Sequence, residues 1–258
     1  FYRQDVKKGN NLILDGIHKP KNILKLRMAP MILLGTIVTH LFGGSAGREG
    51  TAVQIGASIS DQLTHIFKFN KTDRRNLLIA GMSAGFGSVF GTPLAGGTFG
   101  LEVFLMGKMK YESLLPAFFS SIIANEVAQN WWGIKHSKYI INNFPELTFK
   151  NIVLACAAGI CFGIAGKLFS MSIKYVKAFL FKYIKFQPYH AFVGGILIIL
   201  LTKAVGTYKY NGLGLETIMS SFSNQLPVYD FLFKIIFTAV TLGSGFKGGE
   251  ITCLFFVG

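Results

Sequence analysis

Charged side chains are scarce in this sequence. Only 15% of its 258 residues are charged, whereas soluble domains usually carry about 25%. Hydrophobic residues make up 51%, and the mean hydropathy is +0.45. A water-soluble globular protein of this length would need a more polar surface. The composition therefore excludes that class and indicates that a lipid bilayer is the solvent.

Acidic residues are scarcer still, with 12 against 26 basic residues and a net charge of +14. An excess of basic residues can indicate nucleic-acid binding, but here they form no continuous basic face. They lie between the apolar segments, as basic cytoplasmic loops do. We therefore expect no nucleic-acid partner. The two candidate cytoplasmic clusters are Lys68, Lys71, Arg74 and Arg75, and then Lys174, Lys177, Lys182 and Lys185.

The sequence also lacks the residues of a catalytic or metal site. Its three cysteines, Cys156, Cys161 and Cys253, lie in apolar stretches without metal-ligand spacing. The five histidines are scattered, and we find no set of nucleophile, histidine and acid. We predict neither an enzyme nor a cofactor. The chain opens on Phe1 without a signal peptide and stops soon after Ile251, so we expect it to be truncated at both ends.

Six apolar segments, nearly free of charge, predict helices. Several are shorter than the roughly 20 residues of a simple membrane span, and many contain Gly or Pro, which favours tilted or broken helices. We expect one all-α membrane domain over 1–258, with helices at about 52–67, 74–90 (capped by Thr72 or Asp73), 112–132 and 149–184. The six segments are Met28–Gly44, Leu77–Phe90, Leu114–Ala128, Ile152–Phe169, Ala191–Ala204 and Phe231–Leu242.

Two glycine-rich breaks, Gly43–Thr51 and Gly243–Glu250, resemble each other. Each ends an apolar helix, includes a Gly-Ser pair, a basic residue and a Glu, and precedes a new apolar stretch. Corresponding interruptions in two halves are typical of an inverted-repeat transporter. A helix that begins inside the membrane directs N–H groups and a partial positive charge at an anion. The breaks therefore predict an anion site.

Two acids lie in these breaks. Glu49 predicts a gate, because an ionised carboxylate at an anion site competes with the anion and withdraws when it is protonated. The alternative is a structural pair with Arg48 at a loop surface. Glu250 predicts a protonatable group that, when neutral, donates a hydrogen bond to the anion together with Thr252; the alternative is a helix-capping carboxylate. Glu102, Glu126 and His40 are weaker candidates for proton transfer.

At these residues the chain resembles the CLC family of chloride channels and proton-coupled anion transporters. Gly47–Thr51 (GREGT) is similar to the family's GREGP motif, and Thr92–Gly96 (TPLAG) to its APLAG stretch. Gly248–Cys253 (GGEITC) stands where GIFAP is usual. The departures resemble the family's fluoride/proton antiporter branch, in which Asn or Met replaces a filter serine. In this sequence that residue is Asn10.

The resemblance implies a CLC-type fold of tilted helices in inverted repeats, and a homodimer in a bacterial plasma membrane. It implies a protein that exports fluoride in exchange for protons, with Glu49 as the gate and with Glu250 and Thr252 as the fluoride-handling pair. Val103 stands where chloride/proton exchangers often carry a glutamate, and Cys253 replaces the expected proline. A chloride channel or chloride/proton exchanger is the alternative. The remaining anion-path residues that the motifs imply are Asn10, Gly47, Arg48, Gly50, Gly249 and Ile251.

Overall fold

The fold is built from helices. A computed structural model describes residues 13, 16, 24–102, 111–137 and 146–258. A 3-10 turn at Tyr111–Ser113 precedes the helix Leu114–Glu126, and a π-helical turn at Val127–Trp131 follows it. The predicted all-α class is confirmed. The helices are α1 (Met28–Leu41), α2 (Glu49–Phe67), α3 (Lys71–Phe90), α4 (Pro93–Glu102), α5 (Leu114–Glu126), α6 (Phe149–Tyr183), α7 (Pro188–Val205), α8 (Leu215–Ser221), α9 (Asp230–Gly243) and α10 (Ile251–Val257).

The chain divides into two compact units. The first comprises Phe1–Thr36 and Arg48–Ser137, and the second comprises Ile37–Gly47 and Lys138–Gly258. The chain passes from one unit to the other within α1 and again inside the first glycine-rich break. Our expectation of a single membrane domain stays a prediction.

In the first unit, α2 and α3 pack with their backbones nearly in contact. A Cβ added to Gly56 of α2 would lie 2.0 Å from the Gly81 carbonyl oxygen. A Cβ added to Gly85 would lie 2.4 Å from the Ala52 carbonyl oxygen. Small residues at such contacts are typical of helices that pack inside a membrane, where close van der Waals contact replaces the hydrophobic effect.

A buried ion pair anchors the chain that enters α1. The Asp61 carboxylate accepts hydrogen bonds from Arg74 Nε (2.7 Å) and Nη2 (2.9 Å), and from the Leu24 N–H (2.6 Å). Arg74 was assigned to a candidate cytoplasmic cluster of basic residues. It is only 5% exposed, and Asp61 is 0% exposed. The bidentate geometry that only arginine offers satisfies a carboxylate that lies away from water.

One local prediction in this unit was wrong, and another needs refinement. The side chain that caps α3 is Asn70, whose oxygen accepts from the N–H groups of Thr72 (2.8 Å) and Asp73 (2.9 Å). The helix predicted over 112–132 is divided into a 3-10 turn, an α-helix and a π-helical turn. The apolar pattern shows that these residues are helical but does not distinguish the hydrogen-bond spacings.

In the second unit, α6 and α7 are long and apolar enough to span a membrane. Their apolar windows have mean hydropathies of 2.1 and 1.6, and only 6% and 17% of those windows are buried within the protein. Apolar surface left so uncovered suits contact with lipid. The helix predicted over 149–184 is confirmed as the 35-residue α6, which is about 52 Å long at 1.5 Å per residue.

The core of the second unit is where α6, α9 and α10 meet. Phe169 of α6, Ile235 of α9, and Cys253 and Val257 of α10 are buried together there. Cys253, which stands where the family's proline is expected, therefore fills a packing position. The short helix α8 was not predicted, because its seven residues carry no long apolar run.

Candidate functional site

The first glycine-rich break begins with a sharp turn at the end of α1. Gly43 has a φ of +76°, in the left-handed region that favours glycine. The Gly44 N–H donates to the Thr39 carbonyl over 2.8 Å. A Cβ added to Gly44 would lie 2.6 Å from Thr39 Cγ2. This turn therefore requires the two glycines with which the break opens.

Backbone hydrogen bonds join the first break to the second. The Gly47 N–H donates to the Gly249 carbonyl over 2.7 Å, and the Gly249 N–H donates to the Gly47 carbonyl over 2.6 Å. A Cβ added to Gly248 would lie only 2.5 Å from the Ala46 Cβ. The two breaks that the sequence singled out are therefore neighbours, and a glycine permits their close approach. We call this contact the glycine bridge.

A polar face of α9 holds the first break from the other side. Lys234, Thr238 and Thr241 follow the spacing i, i+4, i+7 of one helix face, and each is 0% exposed. The Ser45 N–H donates to the Thr241 hydroxyl over 2.9 Å, and the hydroxyls of Ser45 and Thr238 lie 2.9 Å apart. The break is thus attached to α9 by side chains and to Gly249 by backbone.

Sequence reasoning missed this face of α9. The segment Phe231–Leu242 was read as an apolar helix, and Lys234 was not singled out. The signal that could have found the face is the spacing itself. Polar residues placed only at i, i+4 and i+7 of an apolar helix mark one side, and a charged member of that set is a functional hypothesis in a membrane protein.

The second break leads into α10 through Glu250. This glutamate stands immediately before the helix, is exposed in this chain, and makes no side-chain hydrogen bond that caps it. The capping role that we considered is therefore not observed. Ile251 is half-buried, and Thr252 is 3% exposed.

In the first unit, Glu49 is the first residue of α2 and is 1% exposed, whereas Arg48 is exposed. Glu49 therefore does not lie at a loop surface, as the structural pair with Arg48 would require. Gly50 is buried beside it. The Thr51 hydroxyl lies 2.6 Å from the Thr36 hydroxyl of α1, which attaches the first turn of α2 to the helix before the break.

The other candidates have weaker support or lie outside the described residues. Asn10 and Val103 are outside the described ranges. Glu102 and Glu126 are exposed at or near the ends of α4 and α5, as expected of acids that reach water. His40 is half-buried one turn before the break.

Two glycine-rich breaks that pair with each other interrupt apolar helices in this chain. This arrangement is typical of membrane proteins with broken helices, in which ions bind near the ends of the half-helices. The chain belongs to the voltage gated chloride channel family, whose family model matches residues 1–258. This confirms the family that the motifs indicated.

Two relatives support the branch of that family. The chain is 48% identical over 256 residues to a "Chloride/fluoride channel protein" of Pseudomonas syringae pv. tomato, covering 97% of this chain and 56% of the relative. It matches the crystal structure of a CLC-type fluoride/proton antiporter with a TM-score of 0.92 and 34% identity, covering 98% of this chain and 64% of that one. The resemblance to the fluoride/proton antiporter branch is thus confirmed.

A third comparison concerns the fold alone. The structure of a slow cyanobacterial chloride/proton antiporter matches with a TM-score of 0.78 at 21% identity, covering 96% of this chain and 59% of that one. The chain spans between half and two thirds of the length of these three proteins.

The glycine bridge generates a prediction. We expect Gly248→Ala to destabilise the protein by about 1–3 kcal/mol, the usual cost of forcing a methyl group into a packed position. The added Cβ would meet Ala46, so Ala46→Gly in the same chain should restore part of the loss. Thermal unfolding in detergent measures both. A Gly248→Ala protein as stable as the wild type would contradict this close contact.

Proposed function

We propose that this protein exports fluoride across a membrane in exchange for protons. The observation that carries the proposal is the glycine bridge. It joins the two breaks that contain the acids Glu49 and Glu250. The names of the two relatives, one a chloride/fluoride channel protein and the other a fluoride/proton antiporter, support the same substrate.

Glu49 serves as the gate in this proposal. Its carboxyl is buried in the first turn of α2, where the helix N-terminus stabilises a negative charge. A fluoride ion would bind to the same N–H groups of the α2 N-terminus and would be stabilised by the same positive potential. Protonation removes the competing charge and admits the anion, while deprotonation expels it. One side chain can thus link proton movement to anion movement.

Glu250 and Thr252 act as the fluoride-handling pair. A neutral carboxyl and a hydroxyl each donate a hydrogen bond through a hard oxygen, and such donors suit a small, strongly hydrated anion. A fixed cation in direct contact would hold fluoride too tightly for release. Glu250 does not hold fluoride permanently, because its carboxyl can donate a hydrogen bond only while it is protonated. When the proton leaves, the hydrogen bond to fluoride is lost.

The remaining assignments follow the motif resemblance. We propose that the anion path is completed by Asn10 and by the backbone at Gly47, Arg48, Gly50, Gly249 and Ile251. The assembly is a homodimer, and the location is a bacterial plasma membrane. The exposed apolar surface of α6 and α7 supports the membrane location.

The gating role of Glu49 predicts the behaviour of two substitutions. Glu49→Gln and Glu49→Ala remove the proton-carrying carboxyl, so proton-coupled turnover should fall about 100-fold or more, as on losing a proton-transferring side chain. The measurement is fluoride efflux from liposomes with a simultaneous pH readout, using the full-length gene product.

The matched control is Glu216→Gln, which neutralises an exposed acid at the start of α8 and should leave the exchange unchanged. An increase of uncoupled anion flux in Glu49→Ala would instead indicate a passive channel. Equal chloride and fluoride fluxes in the wild type would favour the alternative chloride transporter.

The fluoride-handling pair predicts a separate effect on affinity. Thr252→Val keeps the shape of the side chain but removes one hydrogen-bond donor. A hydrogen bond to a charged group contributes about 1.5–3 kcal/mol, so fluoride affinity should fall about 10- to 100-fold. Isothermal titration with fluoride measures this. Glu250→Gln retains a donor but cannot release a proton, so it should bind fluoride and fail to exchange it. Wild-type affinity in Thr252→Val would refute the assignment of this hydroxyl.

A further inference from the structure

Lys234 is a buried cation that the proposed exchange does not use. Its side chain is 0% exposed in the second turn of α9. The ammonium donates to the Tyr210 carbonyl over 3.1 Å and to the Gly212 carbonyl over 2.9 Å. It also lies 5.2 Å from the centre of the Phe256 ring of α10. These partners come from the loop before α8 and from the helix after the second break.

The acid nearest in sequence has other partners. Asp230, one turn before Lys234 on α9, accepts hydrogen bonds from Lys209 and, over 2.5 Å, from the Tyr210 hydroxyl. Burial and the hydrogen bond to Asp230 raise the pKa of the Tyr210 phenol, so this donor stays protonated. The partners of the Lys234 ammonium are thus the backbone carbonyls of Tyr210 and Gly212 and the ring of Phe256.

Burying an ammonium is costly unless polar partners replace water. Two carbonyl groups and a π face supply that replacement. The contacts hold the Tyr210–Gly212 segment against α9, and their loss would leave two carbonyl groups buried without a donor. The segment therefore depends on Lys234 for its position.

The same loop segment binds the first break. The Asn211 side-chain amide donates to the Gly43 carbonyl over 2.7 Å, and the Gly212 N–H donates to the Gly44 carbonyl over 3.0 Å. A continuous series of hydrogen bonds thus runs from the Lys234 ammonium through the loop to the turn that opens the break. Thr238 and Thr241, on the same face of α9, hold the next residue, Ser45, directly.

We propose that Lys234 is a positioning residue of the anion path, which holds the first break, and with it the chain that leads to Glu49, through the loop segment Tyr210–Gly212. The part of this inference that concerns transport rests on the proposed function. The part that concerns the position of the break does not. A loosened break would let anions pass without protons, so loss of Lys234 should affect the coupling more than the total anion flux.

A merely structural lysine would behave differently. Its loss would reduce the amount of folded protein, but each folded molecule would keep the wild-type number of protons moved per fluoride. The decisive quantity is therefore the coupling ratio of protein that elutes as a single folded species. Rescue by a residue that keeps the charge and the donors is the second criterion.

The experiment compares three substitutions of full-length protein in liposomes. Lys234→Met removes the ammonium at similar length, and we expect the proton-to-fluoride ratio to fall about tenfold, the result of loosening the first break. Lys234→Arg keeps the charge and the N–H donors and should restore the ratio. Lys203→Met, at an exposed lysine of α7, is the matched control and should leave the ratio unchanged.

Asn211→Ala provides a second test of the proposal if Lys234→Met does not fold. It removes the next contact of the series while Lys234 and its carbonyl partners remain, so it should lower the coupling ratio in the same direction. A wild-type ratio in folded Lys234→Met, or in Asn211→Ala, would overturn the proposal.

Hydrogen exchange of the peptide covering residues 40–50 separates this inference from the proposed function. In Lys234→Met or Asn211→Ala its amides should exchange about tenfold faster than in the wild type, whichever anion the protein carries. Unchanged exchange would refute the positioning role. A wild type without proton-coupled fluoride flux would refute only the proposed function.

Discussion

Two backbone hydrogen bonds between Gly47 and Gly249 are the contact on which the account of this protein depends. They join segments about 200 residues apart in the chain, and they do so without any side chain. Backbone pairing of this kind is possible only where both chains approach closely, which is why Gly248 faces Ala46 at a distance that excludes a larger residue. In the sequence, Glu250 follows Gly249 directly, and Glu49 follows Gly47 after one intervening residue, Arg48.

The surroundings of the glycine bridge show how irregular backbone is tolerated inside an apolar protein. Carbonyl and N–H groups freed by a broken helix need partners, because lipid offers none. Here threonine hydroxyls of α9, the amide of Asn211 and the ammonium of Lys234 contribute to that pairing. The polar face of α9 is therefore best understood as the support of a break rather than as a site of its own.

Much of the fold was predictable, because apolar length and glycine position are local properties of the sequence. The extent of α6 and the location of both breaks followed directly from them. The spacing of Lys234, Thr238 and Thr241 marks a polar face, but the contacts of Lys234 could not be predicted. Its partners, Tyr210 and Gly212, lie 24 and 22 residues earlier in the chain, and no local pattern reveals such contacts. Arg74 was assigned to a basic loop for the same reason, since its partner Asp61 belongs to the preceding helix. The role of Asn70 as cap was missed although it is local, because Thr72 and Asp73 are equally suitable cap residues.

The proposed exchange requires that protons drive the movement of fluoride. The most direct measurement places the full-length protein in liposomes with equal fluoride on both sides and imposes a proton gradient, while an electrode follows external fluoride. Proton-driven exchange predicts that fluoride accumulates outside when the outside is acidic, against its own gradient, as protons enter. A fluoride concentration that stays equal on both sides under that gradient would contradict it.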